Sequence, residues 1–433
     1  MAFWSERYET MPRDEILQIQ LERLQASVNR AYENVAFYRR VLDDAGLSPE
    51  DVRTLDDLKR LPFTTREDLR RGYPYDMFAV SLRDVVRIHS SAGTTGPPIV
   101  SGYSANDLNN WSSLAARVLT AAGVEKEDVV QVDFGHGMFA SAFGFQYGAE
   151  RIGASVIPVS GVGAEQQVAI MRDYRTTVLI GTPSYGLWVA EALDEAKINR
   201  RALSLRVGIF GGEPWSETVR ADIEARLGIN ALDSYGLSEV ITPGVSWECE
   251  CKCGLHIAED HFIAEIIDPK TCETLEAGVE GELVLTTLTK EALPLIRYRT
   301  GDLAYLDPTP CECGRTLARM SRVRSRTDDM IIIQGVSIFP SQVEAVLMEV
   351  EGTKPHFRLI IERQGSVDDV ELQVEVSERI FSDQMSKLVE VEEKLKNRLR
   401  SVLGISPRIR LVEPRTLGRE FGKGRRVVID KRL

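Results

Sequence analysis

Between residues 85 and 235 the chain repeats one pattern, a short apolar run followed by a stretch with apolar residues at helical spacing. The runs Val85–His89, Val129–Phe134, Ser155–Val159, Val178–Gly181 and Val207–Phe210 have strand length. Asp107–Ala122, Glu165–Asp173 and Tyr185–Ala196 have the helical period. Such alternation predicts α/β units on a mainly parallel sheet, and ligands of such sheets collect outside the carboxyl ends of the strands.

The flanks read differently. Ile16, Leu17, Leu21, Leu24, Val28, Ala31 and Val35 predict a packing helix in the first stretch, to about Asp57. Thr65 is placed to cap a helix opening at Arg66-Glu67-Asp68. Beyond residue 255 a β-rich subdomain is expected, with strands His261–Ile267 and Gly281–Thr287 and a turn at Tyr298–Asp302. After Asp328 the order is strand Met330–Ile333, helix Pro340–Met348, strands Phe357–Glu362 and Glu371–Val376, helix Asp383–Arg400 and strand Arg408–Leu411. A length of 433 residues exceeds one core, so two domains are expected, 1–327 and 328–433, the second small and α+β. Asp+Glu 65 outnumber Lys+Arg 53, a net charge of −12 that argues against a nucleic-acid binder. No run approaches the roughly 18 apolar residues of a membrane span, and the first residues carry no signal-peptide core. A cytoplasmic location, with no nucleic-acid or membrane partner, is the expectation.

The segment His89-Ser90-Ser91-Ala92-Gly93-Thr94-Thr95-Gly96-Pro97-Pro98 follows a predicted strand. Glycines let a backbone approach a polyphosphate, while hydroxyls and N–H groups donate to its oxygens. A Walker loop is excluded because no Lys-Ser/Thr pair ends the segment. Further along come Phe210-Gly211-Gly212-Glu213-Pro214-Trp215, Asp233-Ser234-Tyr235-Gly236-Leu237-Ser238-Glu239, Tyr298-Arg299-Thr300-Gly301-Asp302, Arg326-Thr327-Asp328-Asp329 and Gly422-Lys423-Gly424-Arg425-Arg426. In this order the set resembles the adenylate-forming acyl-CoA synthetase superfamily and, more closely, its phenylacetate–CoA ligase family.

The resemblance implies an ATP-dependent ligase. An aromatic, phenylacetate-like carboxylate attacks the α-phosphorus of ATP to give acyl-AMP, and the thiol of coenzyme A then displaces AMP. It implies nucleotide binding by Ser91, Thr94, Thr95, Gly212, Glu213, Pro214, Asp233, Ser234, Tyr235, Gly236, Asp302 and Arg326. Lys423 would bridge the substrate carboxylate and the α-phosphate, Ser238 would donate to that phosphate, and Glu239 would offer a hard oxygen ligand to Mg²⁺. Asp328 matches the hinge about which a mobile C-terminal domain turns between half-reactions. A homodimer is the family expectation. Ala92 and Pro97 replace a Ser and a Lys of the usual loop, so weaker ATP binding is expected. The acyl pocket would be lined by Phe134, His136, Phe139, Ser141, Ala142 and Trp215, with Ser141 and Ala142 where the family has glycines. Transfer to a carrier protein or an amine, and a catalytically weakened nucleotide-binding homologue, are the alternatives.

Cysteine usage is the last signal. Cys249, Cys251 and Cys253 form one Cys-x-Cys-x-Cys run with His256 behind it, and Cys311 and Cys313 a second pair before Gly314. Two such knuckles suit a tetrahedral structural Zn²⁺. Cys249, His256, Cys311 and Cys313 are the expected ligands, with Cys251 or Cys253 open in place of Cys249, and the resemblance supports the site.

Overall fold

The computed structural model describes residues 2–91, 98–134, 140–159, 161–327, 331–333, 336–338, 340–364, 367–377, 380, 385–403, 405–414, 416–417 and 427–430. By its internal contacts the chain forms two compact units. One comprises Met1–Gly212 with Asp222–Arg322, the other Glu213–Ala221 with Val323–Leu433.

The large unit is built on a nine-stranded sheet. From one edge its strands are Leu306–Asp307, Arg319–Met320, Leu255–Ile257, Ile241–Glu248, Asn230–Leu237, Val207–Gly211, Val178–Gly181, Val129–Val132 and Ser155–Pro158. The last five pair in parallel, as the strand–helix alternation predicts, and the first five are antiparallel to one another. Val178–Gly181 and Val207–Gly211 are buried along their whole length. That is the reason they lack polar alternation. Helices Ala105–Ala121, Ser141–Ile152, Ala164–Asp173 and Pro183–Glu195 connect and cover the parallel part.

Three expectations are corrected. The run at Val85–His89 does not join the main sheet; Arg87–Ser90 pairs antiparallel with Val100–Tyr103 in a ribbon of its own. Only residues 91–99 separate these strands, too short a connection for the crossover that a parallel return needs. Residues Tyr298–Asp302 are not a free turn but part of the strand Tyr298–Ala304. This strand pairs with Gly281–Thr287, which in turn pairs with Phe262–Ile267 in a three-stranded sheet. A bulge opposite Leu283 absorbs Thr300-Gly301-Asp302, with Gly301 at φ 78°. A turn-like sequence thereby stays inside a ladder. The N-terminal helix is two helices, Arg13–Asn34 and Ala36–Asp44, divided at the buried, extended Val35. The predicted cap is present. Thr65 Oγ1 accepts from Asp68 N at 3.3 Å, and the Asp68 carboxylate accepts from Thr65 N at 2.9 Å.

The second unit carries a four-stranded sheet in the order Arg408–Val412, Val367–Val376, Thr353–Gln364, Val427–Asp430. The central pair is an antiparallel hairpin, and the outer strands run parallel to their neighbours. Val343 and Leu347 of helix Pro340–Met348 and Leu395 and Leu399 of helix Met385–Leu403 pack with Leu359 and Leu372 of the hairpin in one core. The edge strand Val427–Asp430 has no counterpart among the expected elements.

Candidate functional site

Two of the motifs expected to bind nucleotide, those at Phe210–Gly212 and Asp233–Ser234, lie at one end of the parallel strands. Val207–Gly211 and Asn230–Ser234 are in parallel register, Phe210 against Asp233 and Gly211 against Ser234. A Cβ on Gly211 would collide with the Ser234 carbonyl oxygen. Phe134 and Thr182 follow neighbouring strands at the same end, and Thr182 caps the helix Pro183–Glu195. Gly212 leaves its strand at φ 80°, a conformation that suits glycine. This end is where an α/β sheet binds its ligand.

Tertiary contacts join motifs that lie far apart in sequence. Tyr235 Oη donates to Asp302 Oδ2 at 2.5 Å, linking the nine-stranded and three-stranded sheets. Asp302 is buried, and its N–H donates to Thr300 Oγ1 at 3.0 Å. Tyr235 and Asp302, both expected to bind nucleotide, are thus held together. Asp233 accepts from Arg322 Nε at 2.8 Å, and its own N–H donates to Glu248. Ser234 is buried, and a Cβ on Gly236 would stand 2.5 Å from the Ile241 oxygen. Ser101 Oγ donates to the Ser238 carbonyl at 2.7 Å. Ser91 ties the base of its loop: its N–H donates to Ile99 O and its Oγ accepts from Ile99 N, both at 2.9 Å. The hydroxyl proton of Ser91 is left to donate.

Glu239 is buried, with Arg66 Nε 3.9 Å from its Oε1. A carboxylate whose cation partner stands at the limit of an ion pair keeps lone pairs for a hard divalent ion, so the donor chemistry fits Mg²⁺. Arg66, Ser101 and Arg322 were not singled out in the sequence. Each belongs to no motif and acts through a residue distant in the chain.

At the acyl segment Phe134 stacks on Phe145 with centroids 5.6 Å apart. Ser141 Oγ and Thr242 Oγ1 are 3.1 Å apart, and Ala142 is buried. One turn on, a Cβ at Gly144 would stand 2.5 Å from both Pro243 Cδ and Trp111 Nε1, so this helix face is close-packed. Asp133, just before Phe134, accepts from Gln167 Nε2, and burial pushes its carboxyl up to about 6. Glu213, Pro214, Trp215 and Arg326 belong to the second unit; there the Arg220 guanidinium lies 5.1 Å over the Trp215 ring. Thr94, Thr95, His136, Phe139, Asp328 and Lys423 lie outside the described residues, as do Ala92 and Pro97.

The cysteine knuckles meet. Ligand atoms of Cys249, His256, Cys311 and Cys313 all lie within 4.8 Å of one another, and all four residues are buried. Cys249 Sγ is 3.8 Å from Cys311 Sγ, and Cys313 Sγ is 3.4 Å from His256 Nε2. A tetrahedron with bonds of roughly 2.0–2.3 Å has edges of about 3.5–3.8 Å, so the spacing fits a zinc-sized ion. Two tight turns shape the knuckles: Lys252 N donates to Cys249 O, and Gly314 N to Cys311 O, each at 3.0 Å. Gly314 has φ 88°. Cys253 Sγ also approaches Cys311, at 3.3 Å, but Cys253 is exposed; Cys251 is half-buried beside the cluster. The hydrogen bond from Cys249, then the His256 ring and the Arg315 N–H, favour the thiolate at Cys313 against burial. Burial, first among the causes, pushes Cys311 up to about 12. Ionising all three thiols together therefore requires a cation among them.

The sequence pattern of AMP-binding enzymes matches residues 51–288, and that of the AMP-binding enzyme C-terminal domain matches residues 335–432. The phenylacetate–coenzyme A ligase of Escherichia coli (strain K12) is 46% identical over 421 residues, covering 97% of this chain and 96% of that protein. That of Thermus thermophilus is 43% identical and covers 98% of each. Among solved structures, 2-hydroxyisobutyryl-CoA ligase in its postadenylation state superposes with a TM-score of 0.91 at 29% identity, over 98% of this chain and 91% of that one.

Proposed function

The chain belongs to the AMP-binding enzymes and, within them, to the phenylacetate–coenzyme A ligases, and from that membership we propose that it activates a phenylacetate-like aromatic acid and passes it to CoA. The observation that carries the reading at the site is the Tyr235–Asp302 hydrogen bond. It joins two distant motifs into one holder for adenosine.

A carboxylate is a poor electrophile, so the acid is first made the attacking group. Its oxygen attacks the α-phosphorus of ATP, and pyrophosphate leaves with the bonding pair. Tyr235 stacks adenine, Asp302 accepts from the ribose hydroxyls, and Ser238 with Ser91, Thr94 and Thr95 donates to phosphate oxygens. Glu239 would hold Mg²⁺, which when bound supplies charge to the triphosphate. Lys423 bridges the two anions that must meet. Rotation about Asp328 then withdraws Lys423 and admits CoA, whose sulfur attacks the acyl carbonyl as AMP leaves. These groups work by orientation and charge placement. Cys249, His256, Cys311 and Cys313 would hold a structural Zn²⁺, since four protein ligands leave no open position. We further take the enzyme to be a cytoplasmic homodimer; its unbridged thiols suit a reducing compartment.

Purified enzyme given ATP, Mg²⁺ and a panel of aromatic acids should release pyrophosphate, and should form a thioester only when CoA is added. Pyrophosphate release with no thioester would favour another acceptor, and neither product would favour a nucleotide-binding homologue without catalysis.

The close-packed helix face at Ser141 and Ala142 supports a compact acyl pocket. The Ser141→Gly, Ala142→Gly double variant should gain activity on longer arylacetic acids relative to benzoic acids. The expected gain in the kcat/KM ratio corresponds to roughly 1–3 kcal/mol per methylene-sized change. Unchanged ratios would remove these residues from the pocket wall.

A further inference from the structure

Apart from the sites above, the large unit contains a cavity of about 330 Å³. Arg23 and Arg30 of helix Arg13–Asn34, Asn106 and Asn110 of helix Ala105–Ala121, and Lys290 with Glu291 line it. Its charge is one-sided: three cations against one carboxylate. Lys290 is buried, its Nζ is 3.1 Å from the Tyr103 ring centroid, and no hydrogen-bond acceptor reaches it among the described residues. Burial lowers this ammonium to about 7, so it has much to gain from an anion.

The nearby acids are already engaged. Glu291 accepts from Ser104 Oγ at 2.7 Å and Asn106 Nδ2 at 3.0 Å. Asp107 accepts from the backbone N–H groups of Ser104, Glu291 and Ala292. Asp260 holds Arg117 in a bidentate pair, at 2.7 and 2.8 Å. His261, also at the wall, is held neutral by burial, down to about 4. These carboxylates keep their charge, and Asp107 acts on Lys290 and Asp260 on Arg23; within the wall itself Arg23, Arg30 and Lys290 still outnumber the single carboxylate of Glu291. Guanidinium forks match tetrahedral oxyanions; Arg23 gives one N–H to the Asp260 carbonyl and keeps others, Arg30 stands at the rim, and Asn110 adds a neutral amide.

We propose that this cavity is an anion site for a compact phosphoryl group, carried by inorganic phosphate or by a small phosphate monoester. Its volume is at the lower end of the range of ligand pockets, about 300–1,000 Å³, and suits either.

Isothermal titration calorimetry on the full chain, without ATP or Mg²⁺, tests it with inorganic phosphate and separately with glycerol 3-phosphate. Saturable binding of one anion per chain is expected, and the tighter of the two identifies the source. Arg30→Glu and Lys290→Met should each weaken it by roughly tenfold or more, the loss of one charge-assisted contact. Thr94→Ala, in the nucleotide loop, should leave it unchanged. Arg30 lies at the half-exposed rim, so Arg30→Glu carries the test even where Lys290→Met fails to fold. No saturable binding of either anion at millimolar concentration overturns the proposal. So does wild-type affinity in Arg30→Glu, or a loss seen only in Thr94→Ala.

Discussion

Lys423→Ala should lower acyl-AMP formation by roughly 10²–10³-fold, the usual cost of removing one preorganised donor at developing charge. Thioester formation from supplied acyl-AMP should stay near wild type. The asymmetry follows from charge. In the first half-reaction a carboxylate must approach an anionic phosphate, and a cation between them relieves the repulsion as the bond forms. In the second, the acid is already a neutral acyl group, and the lysine has no pair of anions to bridge. Pyrophosphate release and thioester formation, assayed separately, check this. Equal loss in both would sink the assignment. Asp328→Pro should show the reverse, because a fixed φ restricts the hinge while the adenylation arrangement survives. Wild-type thioester formation in that variant would remove the rotation.

Loss of the metal should have the largest effect on stability. Protein purified without chelator should carry close to one zinc per chain. The Cys311→Ser, Cys313→Ser variant should carry none and lose at least several kcal/mol, a fall of roughly 10 °C in Tm. The damage should spread beyond the knuckle. Arg315, two residues after Cys313, pairs with Glu9 at 2.7 Å with both side chains fully buried. Arg315 also donates to Ala2 O, and Thr316 N donates to Glu9 O. When the knuckle moves, that pair breaks, and a lone buried charge is costly. The N-terminal residues should then become the first site of limited proteolysis. Metal analysis finding no zinc in the wild type would refute the site.

Local rules made much of the fold readable. Strands at Val178–Gly181 and Val207–Gly211 stand within a residue of their expected bounds, because an uninterrupted apolar run of that length suits a strand covered on both faces. The Thr65 cap needs only its own turn. Tyr298–Asp302 misled because Thr-Gly-Asp has turn chemistry, and only pairing with Gly281–Thr287 decides that it forms a bulge. For the same reason Arg87–Ser90 left the main sheet, since its partner is chosen by the loop behind it.

The family, the order of its motifs and the two cysteine knuckles are legible along the chain, because they are properties of neighbouring residues and of spacing. Which atoms meet depends on the folded arrangement. It joined Tyr235 to Asp302 across 67 positions, and it buried Cys249 against Cys311 while leaving Cys253 exposed. It also gathered Arg23, Arg30 and Lys290 around one cavity. Each of these depends on where a side chain ends after the backbone has folded, and hydrogen bonds, burial and charge pairing act over ångströms in space with no regard for distance along the chain.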